Sequence, residues 1–152
     1  MIPDTVERVS RHTAEEVNRR IAADTEDRVR WLAEHPELIP ERLRVLDEEW
    51  DIERTLEANA AVLAFAGTVA GATLDRRWLA LPALVTAFLF QHATQGWCPP
   101  LPVLRRLGFR TAREIEVERT ALRILRGDFE QARSAAIGGE SGADRALSVA
   151  RA

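Results

Sequence analysis

Apolar residues recur at spacings of three and four through the first part of the chain. Val6, Val9, Thr13, Val17 and Ile21 form one narrow stripe, with Arg8, Arg11, Glu15, Glu16, Arg19 and Arg20 mostly off it. That is the signature of an amphipathic helix. Asp4 with Glu7 three residues on resembles a capping box with aspartate as the cap. Asp24 is placed to open a second segment, where Val29 and Leu32 shift the phase. His35-Pro36 closes this region, because a residue before proline is pushed out of helical backbone. Pro40 suits the first position of a following helix, whose apolar side is Leu43, Leu46 and Trp50. Asp47, Glu48, Glu49, Asp51 and Glu53 surround Trp50. They read as a solvated helix face, with a metal site as the alternative and no histidine close in sequence.

The pattern changes at Ala58. The 17 residues to Leu74 carry no charge, Asp75-Arg76-Arg77 interrupts, and the 27 residues from Trp78 to Leu104 carry none apart from His92. A spanning helix needs about 20 apolar residues, so both runs qualify, the first only just. Trp78 and Trp97 bracket the second run about 28 Å apart on a helix, suited to anchoring at two membrane interfaces. Gly67 and Gly71 make a G-x-x-x-G step beside Ala64, a spacing that lets helix backbones approach closely in lipid. Arg42, Arg44, Arg54, Arg105, Arg106, Arg110 and Arg113 flank the pair of runs, and only Arg76 and Arg77 lie between them. The positive-inside rule then puts both termini in the cytoplasm.

A soluble helical core is the competing expectation. The first run is rich in alanine and glycine. Asn59, Thr68, Gln91, His92, Thr94 and Gln95 need partners in lipid. Pro82 must kink the second helix or start it late, and a late start leaves about 14 residues, short of a span.

Beyond Pro99-Pro100, Pro102 can open a short helix that stops at Gly108. Thr111 with Glu114 is a capping box for a last helix bearing Ile115, Leu122, Leu125 and Phe129. Gly138-Gly139 and Ser141-Gly142 read as a flexible tail. No segment alternates with period two, so the expected class is all-α: a tight two-helix hairpin flanked by amphipathic helices. The expected division is an amphipathic region over 1–52, the hairpin domain over 53–110, a C-terminal helix over 111–136 and a tail over 137–152.

Charge sharpens this division. The net charge of -3 resolves into -7 over residues 1–57, +1 over 58–104 and +3 over 105–152. No segment is basic enough for a nucleic-acid footprint. All 21 basic residues are arginine and tyrosine is absent, as in a GC-rich bacterial genome. The single cysteine excludes a disulfide within the chain. The charged opening segment lacks the apolar stretch of a secretory signal.

The stretch from Glu53 to Phe129 contains Glu53-Arg54-Thr55-Leu56-Glu57-Ala58-Asn59-Ala60, Gly67 to Gly71, Asp75-Arg76-Arg77-Trp78, Gln91-His92-Ala93-Thr94-Gln95-Gly96-Trp97-Cys98-Pro99-Pro100 and Leu107-Gly108-Phe109-Arg110-Thr111. It resembles the YgaP-like inner-membrane domain, a bacterial family of unknown function. Gly96, Cys98, Pro99, Leu107 and Gly108 carry the match, over roughly half the chain. The resemblance implies a two-helix membrane hairpin. The sulfurtransferase domain that sometimes precedes that hairpin has no counterpart here, so no sulfur-transfer activity is implied.

The candidate chemistry is sparse. Cys98 and His92 are six residues apart and do not share a face on a regular helix. Cys98 lies near the C-terminal end of its run, where the helix dipole does not favour a thiolate, although Arg105 and Arg106 could compensate if the chain folds back. We expect a packed, inert thiol, with a redox or sulfur-carrying thiol and a metal ligand as alternatives. A Cys-Pro pair can hold haem iron. Zinc needs four ligands, and His92 with Cys98 supplies two unless a second copy contributes. Gln91, His92 and Gln95 are expected to form a polar face turned toward another helix. No Ser-His-Asp set, carboxylate pair or phosphate loop is present.

The expected function is therefore a non-enzymatic inner-membrane module for anchoring and self-association, with the lipid bilayer and a second copy as partners and no cofactor. The alternatives are a cytoplasmic helical oligomer burying the same hairpin between protomers, and a membrane-associated thiol protein using Cys98.

Overall fold

In a computed structural model of the chain, residues 7–130 are described, and every regular element among them is helical. The Asp4 cap and the 137–152 tail lie outside the described residues. The order is α1 (Arg8–Arg11), α2 (Glu15–Glu34), a 3-10 turn (Pro36–Leu38), α3 (Ile39–Glu48), α4 (Ile52–Thr73), a second 3-10 turn (Arg76–Leu79), α5 (Ala80–Gln95), α6 (Leu101–Arg106) and α7 (Ala112–Arg126).

The chain divides into two compact units, one made of Met1–Ala23 with Trp50–Ile115, the other of Asp24–Glu49 with Glu116–Ala152. In the first, α4 starts where the Asp51 carboxylate accepts from the Arg54 amide at 2.8 Å, filling one of the orphan donors of a helix start. It runs 22 residues, about 33 Å. Asp75 caps the next turn in the same way, accepting from the Arg77 amide at 2.8 Å. Helix α5 then opens at Ala80, so Pro82 sits in its first turn, where the missing N–H costs no helical bond. It ends at Gly96, whose φ of +77° is left-handed and suits a residue without a Cβ. Close approach makes a second demand for glycine there, because a Cβ on Gly96 would meet Arg8 Cβ at 2.5 Å.

The core of this unit is Val9, Ile52, Leu56, Cys98 and Leu101, with Trp97, Leu104 and Phe109 packed against it. Ile52 and Leu101 are completely buried, each contributing about 1.5–3 kcal/mol of apolar burial. Arg105 is also completely buried. Its five N–H groups reach Thr13 Oγ1, Asn18 Oδ1, Phe109 O and both Glu114 oxygens at 2.7–3.2 Å. The Thr111–Glu114 capping box is present as expected: the Thr111 amide donates to Glu114 Oε2 at 2.7 Å and the Glu114 amide to Thr111 Oγ1 at 3.2 Å.

The second unit buries Leu32, Ile39, Leu43, Leu46 and Leu122. Within it Glu118 is fully buried and takes Arg42 Nε at 2.7 Å and Arg28 at 3.0 Å. Arg119 donates to Leu46 O at 2.9 Å and pairs with Asp47 at 3.1 Å.

Two expectations about the first stripe differ from the structure. Helix is interrupted at residues 12–14 and then runs unbroken through Asp24 to Glu34. The interruption falls where Thr13 Oγ1 donates to Val9 O at 2.8 Å and accepts from Arg105, a side-chain competition with backbone that favours non-helical geometry. Asp24 sits mid-helix because a weak local cap signal yields to continued packing of Ile21, Thr25 and Leu32.

Candidate functional site

Helices α4 and α5 pair their residues in reverse order. Arg8 bridges Glu53 and the Ala93 carbonyl at one end, a Cβ on Gly67 would lie 2.6 Å from Pro82 Cδ, and one on Gly71 would lie 2.5 Å from Leu79 Cδ2. The small-residue step that the sequence suggests for an oligomer seam thus meets the chain's own second run. Ala60 and Ala64, half-buried, extend the same seam.

The opposite faces are apolar and uncovered. Val62, Phe65, Val69 and Leu74 on the first run are 44–77% exposed, and Trp78, Leu84 and Phe90 on the second 50–72%. The inverse of a soluble core holds here: between Ala58 and Thr73 the buried positions are Gly67 and Gly71, while the large side chains point outward. Contiguous exposed apolar surface of this kind marks a protein or membrane interaction face. One helical stretch among the described residues, Pro36–Thr73, contains a window long and apolar enough to cross a membrane, and 17% of that window is buried. The charges Asp47, Glu48, Glu49 and Asp51 confine the apolar window to α4. Helix α5 has 16 residues, about 24 Å, shorter than a hydrocarbon core of about 30 Å. The late start forced by Pro82 accounts for this.

Of the two bracketing tryptophans, Trp78 is half exposed in the 3-10 turn, while Trp97 packs on the core cluster beyond the end of α5. Gln91 is half-buried, Gln95 is exposed and His92 is buried, so the expected polar face is not assembled. His92 alone turns inward, into a groove it shares with Leu56, Leu63, Phe88, Leu89 and Cys98. The sequence placed His92 and Cys98 on different helix faces. Both line the groove because α5 ends at Gly96 and the chain beyond that left-handed turn returns Cys98 to it.

Cys98 is 4% exposed. Burial pushes its thiol up, against a smaller opposing effect of the Leu101 amide, so the nucleophilic thiolate is disfavoured. Arg105 brings no relief, since Glu114, Asn18, Thr13 and Phe109 take all its donors. The acidic residues around Trp50 go to arginines and a cap. Glu48 pairs with Arg44 and Asp47 with Arg119 in the second unit; Glu53 pairs with Arg8 in the first, where Arg54 lies 4.3 Å over the Trp50 ring. Among the described residues no group of three or more metal-ligating side chains comes together.

The burial of Arg105 and Glu118 is a finding of the structure. Glu118 could have been found, since it lies on the stripe formed by Ile115 and Leu122; a carboxylate there requires a buried cation. Comparison with family models, with curated proteins and with solved structures gives no match.

Proposed function

We propose that the chain is a non-enzymatic module that anchors to the bacterial inner membrane through α4 and α5 and associates with further copies of itself there. The observation that carries this reading is the outward display of large apolar side chains on uncharged faces of two helices, the first of which buries only Gly67 and Gly71 between Ala58 and Thr73. Water penalises that display at about 25 cal/mol per Å², and lipid removes the penalty. The resemblance to the YgaP-like hairpin supports the same reading. In it, α4 spans, the shorter α5 is accommodated by local thinning or tilt, and the arginines flanking the pair hold both termini in the cytoplasm.

Carbonate extraction of membranes from expressing cells tests the anchor. The protein stays in the pellet and is released by detergent, and a reporter fused after Ala152 is active in the cytoplasm only. A defined oligomer in the high-speed supernatant overturns the anchor, and periplasmic reporter activity reverses the orientation. The 16-residue length of α5 favours a second reading, a cytoplasmic oligomer that covers the same faces between protomers; the supernatant outcome supports it.

A further inference from the structure

The tip of the hairpin carries charge that the chain does not balance. Between Glu57 and Arg105 the formal charges are Asp75, Arg76 and Arg77, a net of +1. All three residues are exposed. The Asp75 carboxylate accepts from the Arg77 amide at 2.8 Å. Among the described residues, neither the Arg76 nor the Arg77 guanidinium has a hydrogen-bond or ion-pair partner. The exposed Arg30, Arg44 and Arg126, by contrast, each hold a carboxylate. The counter-charge for the tip must come from outside the chain.

The surroundings say what else the counter-ion carries. Leu74 and Trp78, 77% and 50% exposed, flank the two arginines in sequence. An open hollow of about 430 Å³ is lined by Arg76 together with Thr68, Ala72, Leu74, Asp75 and Leu79. The Thr68 hydroxyl donates to Ala64 O at 2.8 Å, which leaves this wall largely apolar. A free cation beside an apolar wall suits an anion with a hydrocarbon body. Length puts the tip at the matching depth. The uncharged stretch from Ala58 to Leu74 has 17 residues and α5 has 16, about 24–26 Å each, short of a hydrocarbon core of about 30 Å. The arginine stems make up the difference by extending to the headgroups. A second copy inserted the same way brings its own Arg76 and Arg77 to this level, and like charges supply no balance.

We propose that the hairpin tip binds an anionic phospholipid in the leaflet opposite the termini. The phosphodiester accepts from the Arg76 and Arg77 guanidinium groups, and the upper acyl chain lies against Leu74 and Leu79. A lipid of charge -1 neutralises the tip, whereas a zwitterionic lipid brings a cation of its own and leaves the excess in place. The inference rests on the anchoring reading and adds the class of lipid held.

The test uses the full chain in a non-ionic detergent, with bound lipids counted by native mass spectrometry. Dioctanoylphosphatidylglycerol binds one per chain, about tenfold more tightly than dioctanoylphosphatidylcholine, as expected for arginines facing an anionic headgroup. Arg76→Gln together with Arg77→Gln, changes at exposed side chains without partners, abolishes that preference. The double lysine variant retains it. Inorganic phosphate alone binds far more weakly, because it brings nothing to Leu74 and Leu79. Equal affinity for the two lipids, a preference that survives the glutamine pair, or phosphate binding as tight as the lipid overturns the proposal. Carbonate extraction reads the anchor separately, and the glutamine variant is expected to stay in the pellet with the unaltered chain. Lipid preference lost while the pellet is kept supports the site. The unaltered chain in the supernatant overturns the anchor and the site with it, whereas equal lipid affinities with the chain in the pellet overturn the site alone.

Discussion

Arg105 shows how a single residue organises the first unit. Removing a guanidinium from water is expensive, and the expense is offset only when every donor finds an acceptor and a counter-charge is present. Glu114 supplies that charge in a fork of two bonds at 2.7 Å, the geometry that favours arginine over lysine. Burial alone would raise the Glu114 carboxyl, but Arg105 and the Thr111 amide outweigh it and hold the group below its ordinary value of 4.5. A depressed folded-state value stabilises fully above the unfolded value and progressively less as pH falls through the folded one. Stability of the detergent-solubilised chain, followed by urea titration, is therefore expected to fall from about pH 5 downward. Glu114→Gln should flatten that part of the profile. Glu114→Ala, which strands Arg105 in the interior, is expected to destabilise by about 3–5 kcal/mol. Little of this was legible in advance. The capping role of Glu114 follows from local spacing, whereas its partnership with Arg105 depends on how the turn between α6 and α7 brings the two side chains together, which no periodicity encodes.

At the scale of elements, local chemistry was the better guide. Pro36, Pro40, Asp75, Gly96, Gly108 and Thr111 mark boundaries because each acts through its own backbone or the next three residues. Long-range pairing was less legible. The small-residue step at Gly67 and Gly71 announced a close helix approach but left its partner open, since a seam of small residues suits the chain's own second helix or another copy equally. The structure directs it to Pro82 and Leu79. Gly67→Ala therefore forces a methyl group to within 2.6 Å of the Pro82 ring, against ring atoms that cannot rotate away. Overpacking of this kind costs about 1–3 kcal/mol. The expected result is a lowered unfolding midpoint with oligomer size unchanged. Ala66→Ile on the exposed side of α4 should shift the midpoint by less than about 0.5 kcal/mol equivalent. A change in oligomer size on Gly67→Ala, with no loss of stability, would instead assign this seam to contacts between copies.

Over the whole chain, the decisive contrast is between two ways of using apolar residues. Ile52, Leu56 and Leu101 are buried beside charged latches, as in any water-soluble fold. Phe65 and Phe90 are 73% and 72% exposed on helices with no charge around them. A helix that is apolar all round is buried in protein or in lipid, and here the protein covers one side only. The sequence left lipid and soluble core balanced, because hydropathy alone reports an apolar helix without reporting what its outer face touches. The structure adds that this outer face is uncovered by the chain itself, and one substitution probes what covers it. Phe65 lies near the middle of the apolar part of α4, where an aspartate in a spanning helix costs about 2.5–3.5 kcal/mol of insertion free energy. Phe65→Asp should therefore move the protein out of the carbonate-resistant pellet. Val117→Asp, an equally severe change at a 57% exposed position on the polar helix α7, should leave it there. If lipid never covers this face, Phe65→Asp carries no insertion penalty. It would then raise solubility or split a soluble oligomer, and the pelleted fraction would not respond to it.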